Sequence, residues 1–161
     1  MHGNRDFLLT KSICKDLKIN LLDDPTVIEI DNVKILLLHG DTLCADDHEY
    51  QNFRSMVRSS VWQKEMLSKS LEERLAIANS LREKSIEANR LKGEEIMDVN
   101  NTEVMNIIEK YKPNVIIHGH THRPNIHRHN EVTRYVLGDW YNNFFILTYD
   151  NDKFYINKGL L

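Results

Sequence analysis

The stretch Val115-Ile116-Ile117-His118-Gly119-His120-Thr121-His122-Arg123-Pro124 sets an apolar run of strand type directly against a cluster of imidazoles. Gly119 can adopt backbone angles closed to other residues, so the chain can turn there and bring His118 and His120 into one cleft. Two further segments share this grammar, Leu36-Leu37-Leu38-His39-Gly40-Asp41 and, at the start of the chain, Met1-His2-Gly3-Asn4-Arg5-Asp6. Metal-competent side chains recur where strands end and glycines begin. The pattern predicts a metal site assembled from loops at the rim of a sheet.

Around this grammar the chain is ordinary in bulk. Its 161 residues are one domain's length, with 41% apolar and 28% charged residues. A net charge of −3 and a pI near 6.2 provide no basic footprint for nucleic acid. The two cysteines, Cys14 and Cys44, have neither a Cys-x-x-Cys spacing nor a disulfide pattern, which suits a reducing cytosol. The sequence contains no apolar segment of the roughly 18 residues a membrane span needs, and no basic-then-apolar signal peptide is expected.

Working outward from the histidines, Val27, Ile28 and Ile30 predict a strand, Asp31-Asn32 a two-residue turn, and Val33 to Leu38 a second, buried strand. A short helix is expected over 7–20. From about Asp46 to Arg90 the pattern becomes helical, with Tyr50, Phe53, Met56 and Val57 and then Leu67, Leu71, Leu75 and Ala78 at helical spacing. Such a helical insertion between strands would project from the sheet as a cap. The Leu67–Ala78 stripe reads as core packing, with an acyl-chain contact as the alternative; Trp62 and Met66 are candidates to face lipid. Asn101-Thr102 opens another helix to Lys110, and Pro113 forces extension into the strand at 115–117. Residues 132–137, 144–149 and 153–157 are expected to form three antiparallel strands.

Neutral imidazoles combined with amide or carboxylate oxygens suit Mn²⁺, Fe²⁺ or Zn²⁺, and without a nearby cysteine a structural thiolate zinc site is disfavoured. Two such metals about 3.5–4 Å apart can share a hydroxide and clamp a phosphoryl group during in-line displacement. An Asn on a tight loop, followed by Arg, then makes sense as a ligand beside a planar fork for phosphate oxygens. Asp41 and Asp6 are expected to pin their loops by hydrogen bonds, His2 to shape its loop, and His122, His127 and His129 to lie at the surface or behind the ligands.

In this order, Gly-Asn-Arg-Asp, His-Gly-Asp and His-Gly-His-Thr-His resemble the calcineurin-like metallophosphoesterases. The runs HGNRDFLL (2–9), LLLHGDTLCADD (36–47), SIEANRLK (85–92), IMDVN (96–100) and VIIHGHTHRP (115–124) are similar, within that superfamily, to the UDP-2,3-diacylglucosamine diphosphatases of lipid A synthesis. The resemblance implies an α/β (α+β) fold, the αββα sandwich of the superfamily, as a single domain over 1–161 with a helical lid insertion at 46–92. It implies Asn4, His39 and His118 as ligands of one Mn²⁺ and His120 as a ligand of a second. Asn4 and Arg5 would contact phosphate and, with His118, form the catalytic set. Asp47, Ser85, Asn89, Lys92 and His118 would hold the nucleotide-sugar head group, and the lid would take two acyl chains. The implied reaction is metal-dependent hydrolysis of the pyrophosphate bond of UDP-2,3-diacylglucosamine to UMP and 2,3-diacylglucosamine 1-phosphate. A monomer is implied, in the cytoplasm and peripheral on the inner membrane, with no nucleic-acid partner.

The resemblance departs at the start. The Asp-x-His strand end and Gly-Asp loop of the family would lie before Met1, so the chain resembles the C-terminal two-thirds of such an enzyme, truncated at the N-terminus. The second metal site is then expected to be incomplete and this polypeptide by itself inactive or impaired. The alternatives are another calcineurin-like phosphoesterase, or a catalytically silent metal- or lipid-binding remnant.

Overall fold

The computed structural model describes residues 1–93 and 96–161, and at Asn89 and Leu91 the backbone only. Its sheet begins with a hairpin. Strands β1 (Thr26–Ile30) and β2 (Val33–Leu37) pair antiparallel through Ile30↔Val33. The two residues between them, Asp31 and Asn32, take left-handed φ of 50° and 63°. A type I′ turn requires positive φ at both central positions, and short polar side chains tolerate it.

Four more elements complete the sheet and cover one face. Helix α5 (Asn101–Tyr111) leads into β3 (Val115–His118), followed by β4 (Asn125–His129) and β5 (Val132–Val136). The strand order is β1-β2-β3-β5-β4; β2–β3 and β3–β5 are parallel, and β4–β5 is antiparallel. Strands β6 (Asn143–Asp150) and β7 (Lys153–Leu160) form a separate antiparallel ribbon. Alternation along the strands decides what each face meets. Leu36, Leu38 and Ile116 pack against Val104, Ile107 and Ile108 of α5. Ile35, Val115 and Tyr135 pack the other way, against Leu147, Phe154 and Ile156 of the ribbon. Both faces of β2 and β3 are therefore covered along their middles, which is why Ile35–Leu37 and Val115–Ile117 are apolar without interruption. The result is a mixed α+β fold in three layers of helix, sheet and ribbon.

Between β2 and α5 the chain forms a 3₁₀ turn (Asp41–Leu43) and three helices, α2 (His48–Val57), α3 (Ser60–Ser68) and α4 (Leu71–Leu91). Each of the three starts at a side-chain cap, Asp47, Ser59 and Ser70 in turn, and Ser70 forms a reciprocal capping box with Glu73. Those caps divide a stretch whose periodicity alone suggested continuous helix.

Several expectations need correcting. The N-terminal helix, α1, covers only Lys11–Asp16, because Lys18 at φ 55° has already left the helical region. Strand β4 went unforeseen, since Asn125-Ile126-His127-Arg128-His129 is a largely polar edge strand with one apolar residue. Strand β5 runs parallel to β3, so the last three strands do not form one antiparallel meander. The Leu67, Leu71 and Leu75 stripe is not core; those residues are 41%, 67% and 56% exposed. Conversely Met66 is buried and presents no free apolar face, whereas Trp62 is half-buried and packs edge-on against Phe7 at 5.9 Å.

Candidate metal centre

Three loops meet at one end of the sheet. The loop after β2 turns at Gly40, whose φ is 111° and where an added Cβ would lie 2.8 Å from His118 Nδ1. Only glycine suits both that dihedral and that gap. The loop after β3 turns differently from expectation. Gly119 is not the residue with positive φ; His120 (66°) and His122 (54°) are. Histidine tolerates left-handed φ at modest cost, and such strain collects at functional sites. The third loop is Gly3-Asn4-Arg5-Asp6, closed by the Gly3 N–H donating to Asp6 Oδ1.

Asn4 is where the loops converge. Its Oδ1 lies 2.8 Å from His39 Nε2 and its Nδ2 3.1 Å from His120 Nδ1. The His39 and His120 rings pack edge to face, with centroids 5.1 Å apart. The single Tyr50 hydroxyl proton is shared between Asn4 Oδ1, at 2.7 Å, and Asp41 Oδ2, at 3.1 Å. Asp41 is fully buried, and its Oδ2 also accepts from Arg54 Nε at 2.7 Å and Arg58 Nη2 at 3.2 Å. Burial pushes the Asp41 carboxyl up, but the Arg54 hydrogen bond and the positive charges around it outweigh burial and hold it below its ordinary value. Arg58 reaches on to the Gly3 carbonyl at 3.2 Å. Asp41 thus ties the glycine–asparagine loop to α2, as a pinning residue should.

His118 stands apart from this trio. It is buried, its Nδ1 donates to the Gly119 carbonyl at 2.9 Å, and its Nε2 accepts from Arg134 Nη1 at 2.9 Å. Both ring nitrogens are engaged. The structure therefore brings Asn4, His39 and His120 together, while the ring nitrogens of His118 bond to Gly119 and Arg134 instead.

Do these residues suit a divalent cation? Burial pulls His39 down and holds His120 at about 4, so both imidazoles are neutral at pH 7, the form in which a nitrogen can ligate. Two nitrogens and one amide oxygen are a donor set that borderline divalent metals accept. Among the described residues no three His, Cys, Asp or Glu side chains are grouped to hold an ion, so Asn4 is indispensable to the set. The trio fits one cation as a partial shell.

The head-group positions divide similarly. Asp47 caps α2 and accepts from Lys92 Nζ at 2.7 Å, and Lys92 also reaches Glu49 at 3.4 Å. Arg5 is exposed and has no hydrogen-bond or ion-pair partner among the described residues; Ser85 is exposed on α4. The Asn89 side chain lies outside the described residues. Sequence reasoning missed Tyr50, Arg54 and Arg58 as site residues, although their four-residue spacing aligns Tyr50 and Arg54 on one face of α2 with Arg58 at its C-cap. It also missed Arg134, a charge in the middle of an otherwise uncharged strand. His2 bonds the Leu9 carbonyl at 2.8 Å, and His122 lies exposed, 3.7 Å from Asp139.

With this geometry in place, the sequence profile of calcineurin-like phosphoesterases matches residues 1–124. The chain belongs to that family. Calcineurin-like phosphoesterases are metal-dependent, which agrees with a donor trio at the loop junction. Within the family it is similar to proteins named UDP-2,3-diacylglucosamine hydrolase. That of Chromohalobacter salexigens is 44% identical over 87% of this chain and 58% of its own length. That of Marinobacter nauticus is 46% identical over 87% and 59%, and that of Haemophilus influenzae 45% over 89% and 60%. The chain thus spans about three-fifths of the length of these curated relatives. It is also similar to the solved structure of a novel archaeal phosphodiesterase, at 15% identity and a TM-score of 0.48, over 99% of this chain and 66% of that one.

Proposed function

We propose that this family member carries the loop junction of a metal-dependent diphosphatase that cleaves the pyrophosphate bond of UDP-2,3-diacylglucosamine, giving UMP and 2,3-diacylglucosamine 1-phosphate. The observation that carries this reading is the meeting of Asn4, His39 and His120 from three loops distant in sequence. The names of the relatives supply the substrate.

In this account Asn4, His39 and His120 hold the cation, for which Mn²⁺ is the proposed identity, while Tyr50 fixes the Asn4 amide so that its oxygen faces His39 Nε2. A divalent cation held by these three residues would supply Lewis-acid stabilisation to a phosphoryl oxygen. Arg5, next to Asn4 and without a partner among the described residues, offers its planar fork to the phosphates. Lys92, now paired with Asp47, presents a cation to the nucleotide-sugar head group, with Ser85 and Asn89 also assigned there. His118 joins the ligand set only on releasing Arg134 from its Nε2. Helices α2–α4 form the lid, and the exposed Leu71 and Leu75 receive acyl chains at the membrane surface. No helix among the described residues is long and apolar enough to cross a membrane, so the contact proposed is peripheral, on the cytoplasmic side of the inner membrane.

The test is a chimera in which this chain replaces the matching segment of the Haemophilus influenzae relative. Mn²⁺-dependent release of UMP is expected, falling by about a hundredfold or more in Asn4→Ala or His39→Ala. Hydrolysis of an aryl phosphate without UMP release would point to another phosphoesterase. A folded chimera inert towards both would leave a silent remnant.

A further inference from the structure

Outside the loop junction, the described residues contain a buried cation with no matching anion. Arg134 sits in the middle of β5 and is 3% exposed. Its Nε donates to His129 Nε2 at 3.3 Å and its Nη1 to His118 Nε2 at 2.9 Å. Both partners are imidazoles, and no carboxylate lies within ion-pairing distance of it among the described residues. Burial pulls the guanidinium down while the charge of Asp98, at longer range, pushes it back up. A guanidinium carries five N–H donors, of which these contacts use two. Leaving a buried charge without a counter-ion is costly, so the surroundings of Arg134 are arranged for an anion.

Those surroundings are a cavity of about 470 Å³ on the α5 side of the sheet. Register explains its lining. His127 lies directly opposite Arg134 across the β4–β5 ladder, and His129 follows two residues later on the same face. The two rings stand parallel within 29°, with centroids 6.5 Å apart. Asn101, the first residue of α5, and Arg123, bonded to Asp98 at 2.8 Å, close the other side. Asp98 bonds Arg123 and reaches Arg134 only through longer-range charge, so among the described residues no carboxylate bonds Arg134 directly.

We infer that this cavity is an oxyanion site for a phosphate group, either inorganic phosphate or a phosphomonoester, anchored on Arg134 and lined by His127 and His129. A tetrahedral oxyanion can accept from the three unused Arg134 N–H groups and from imidazole and amide N–H groups arriving from other directions. A carboxylate, with two oxygens, satisfies fewer of them. The Arg134–His118 hydrogen bond links the site to the loop after β3. The ligand of the site need not be the substrate of the proposed reaction, although the two readings share Arg134 through its contact with His118.

The test is titration of the chain with inorganic phosphate in the presence of a chelator, at constant ionic strength, by calorimetry and by ring ¹⁵N–¹H spectra. Saturable binding is expected, with the His127 and His129 signals shifting most. Affinity should fall about tenfold or more in Arg134→Met, and also in the His127→Gln/His129→Gln pair, which leaves the buried arginine in place should Arg134→Met not fold. Glycerol 3-phosphate competing as well as or better than phosphate would identify a phosphomonoester site, and weaker competition a site for the free ion; acetate should not compete. Non-saturable shifts, equal displacement by acetate or chloride, or unchanged affinity in the paired histidine variant would overturn the inference.

Discussion

The loop junction and the helical insertion make their hydrogen bonds in opposite ways. At the junction, Asn4, His39, His120, Tyr50 and Asp41 are bonded to one another across gaps of up to 116 residues. In α4, by contrast, bonding is local, a capping box at Ser70 and backbone turns within the helix, while Leu71 and Leu75 face outward. Helix α2 belongs to both worlds, since Tyr50, Arg54 and Arg58 bind it to Asp41. The difference teaches where rigidity is placed. Residues proposed to hold an ion are cross-braced, whereas the segment proposed to hold flexible chains is braced mainly at its ends.

The contrast can be broken most forcefully at Asp41. Asp41→Ala strips Arg54, Arg58 and Tyr50 of a shared acceptor, and the expected loss is about 3–5 kcal/mol in urea unfolding. A loss no larger than that of a surface substitution would show that the brace is not structural.

Acid attacks the same region. Burial holds His118 and His120 at about 4 and lowers His39, whereas the unfolded imidazoles titrate near 6.5. Below the unfolded value the unfolded chain binds protons that the folded chain refuses. Stability should therefore be full above pH about 6.5 and decline steadily towards pH 4. Urea midpoints at pH 7.5, 6 and 5 in chelator would measure it, and midpoints flat across that range would contradict the burial of the rings.

Effects in the insertion should be smaller. Ser70→Ala removes the capping box, with an expected cost of about 1 kcal/mol and faster amide exchange in the first turns of α4. Equal acceleration at His39 and His120 would mean that the two regions open together. Smallest of all, Leu71→Gln with Leu75→Gln should change stability by about 0.5 kcal/mol or less, because both side chains already face solvent. Retention on vesicles carrying an acylated amphiphile should nevertheless fall.

Much of the sheet was legible because local rules governed it. Asp31-Asn32 between two apolar runs has few solutions besides a hairpin, and Pro113 ahead of Val115-Ile116-Ile117 fixed the start of β3. Strand β4 was not legible, because an edge strand owes its form to its partner β5 and Ile126 is its single apolar residue. Periodicity in α4 was read correctly as helix and wrongly as core, since spacing says which residues share a face and nothing about what covers it. At the site, His39 and His120 were conspicuous beside their glycines, and Asn4 was singled out by its loop. The engagement of His118 with Arg134 depends on the alignment of β3 with β5, a long-range pairing the sequence does not print.

The most direct test of the account is an Mn²⁺ titration of the chain followed by electron paramagnetic resonance of the free ion, with His39→Ala and Asn4→Ala beside it. The account predicts one saturable site in the parent chain, weakened by about tenfold or more in either variant. Binding of equal strength in all three proteins, or none in the parent chain, would contradict the claim that these three loops assemble a metal centre.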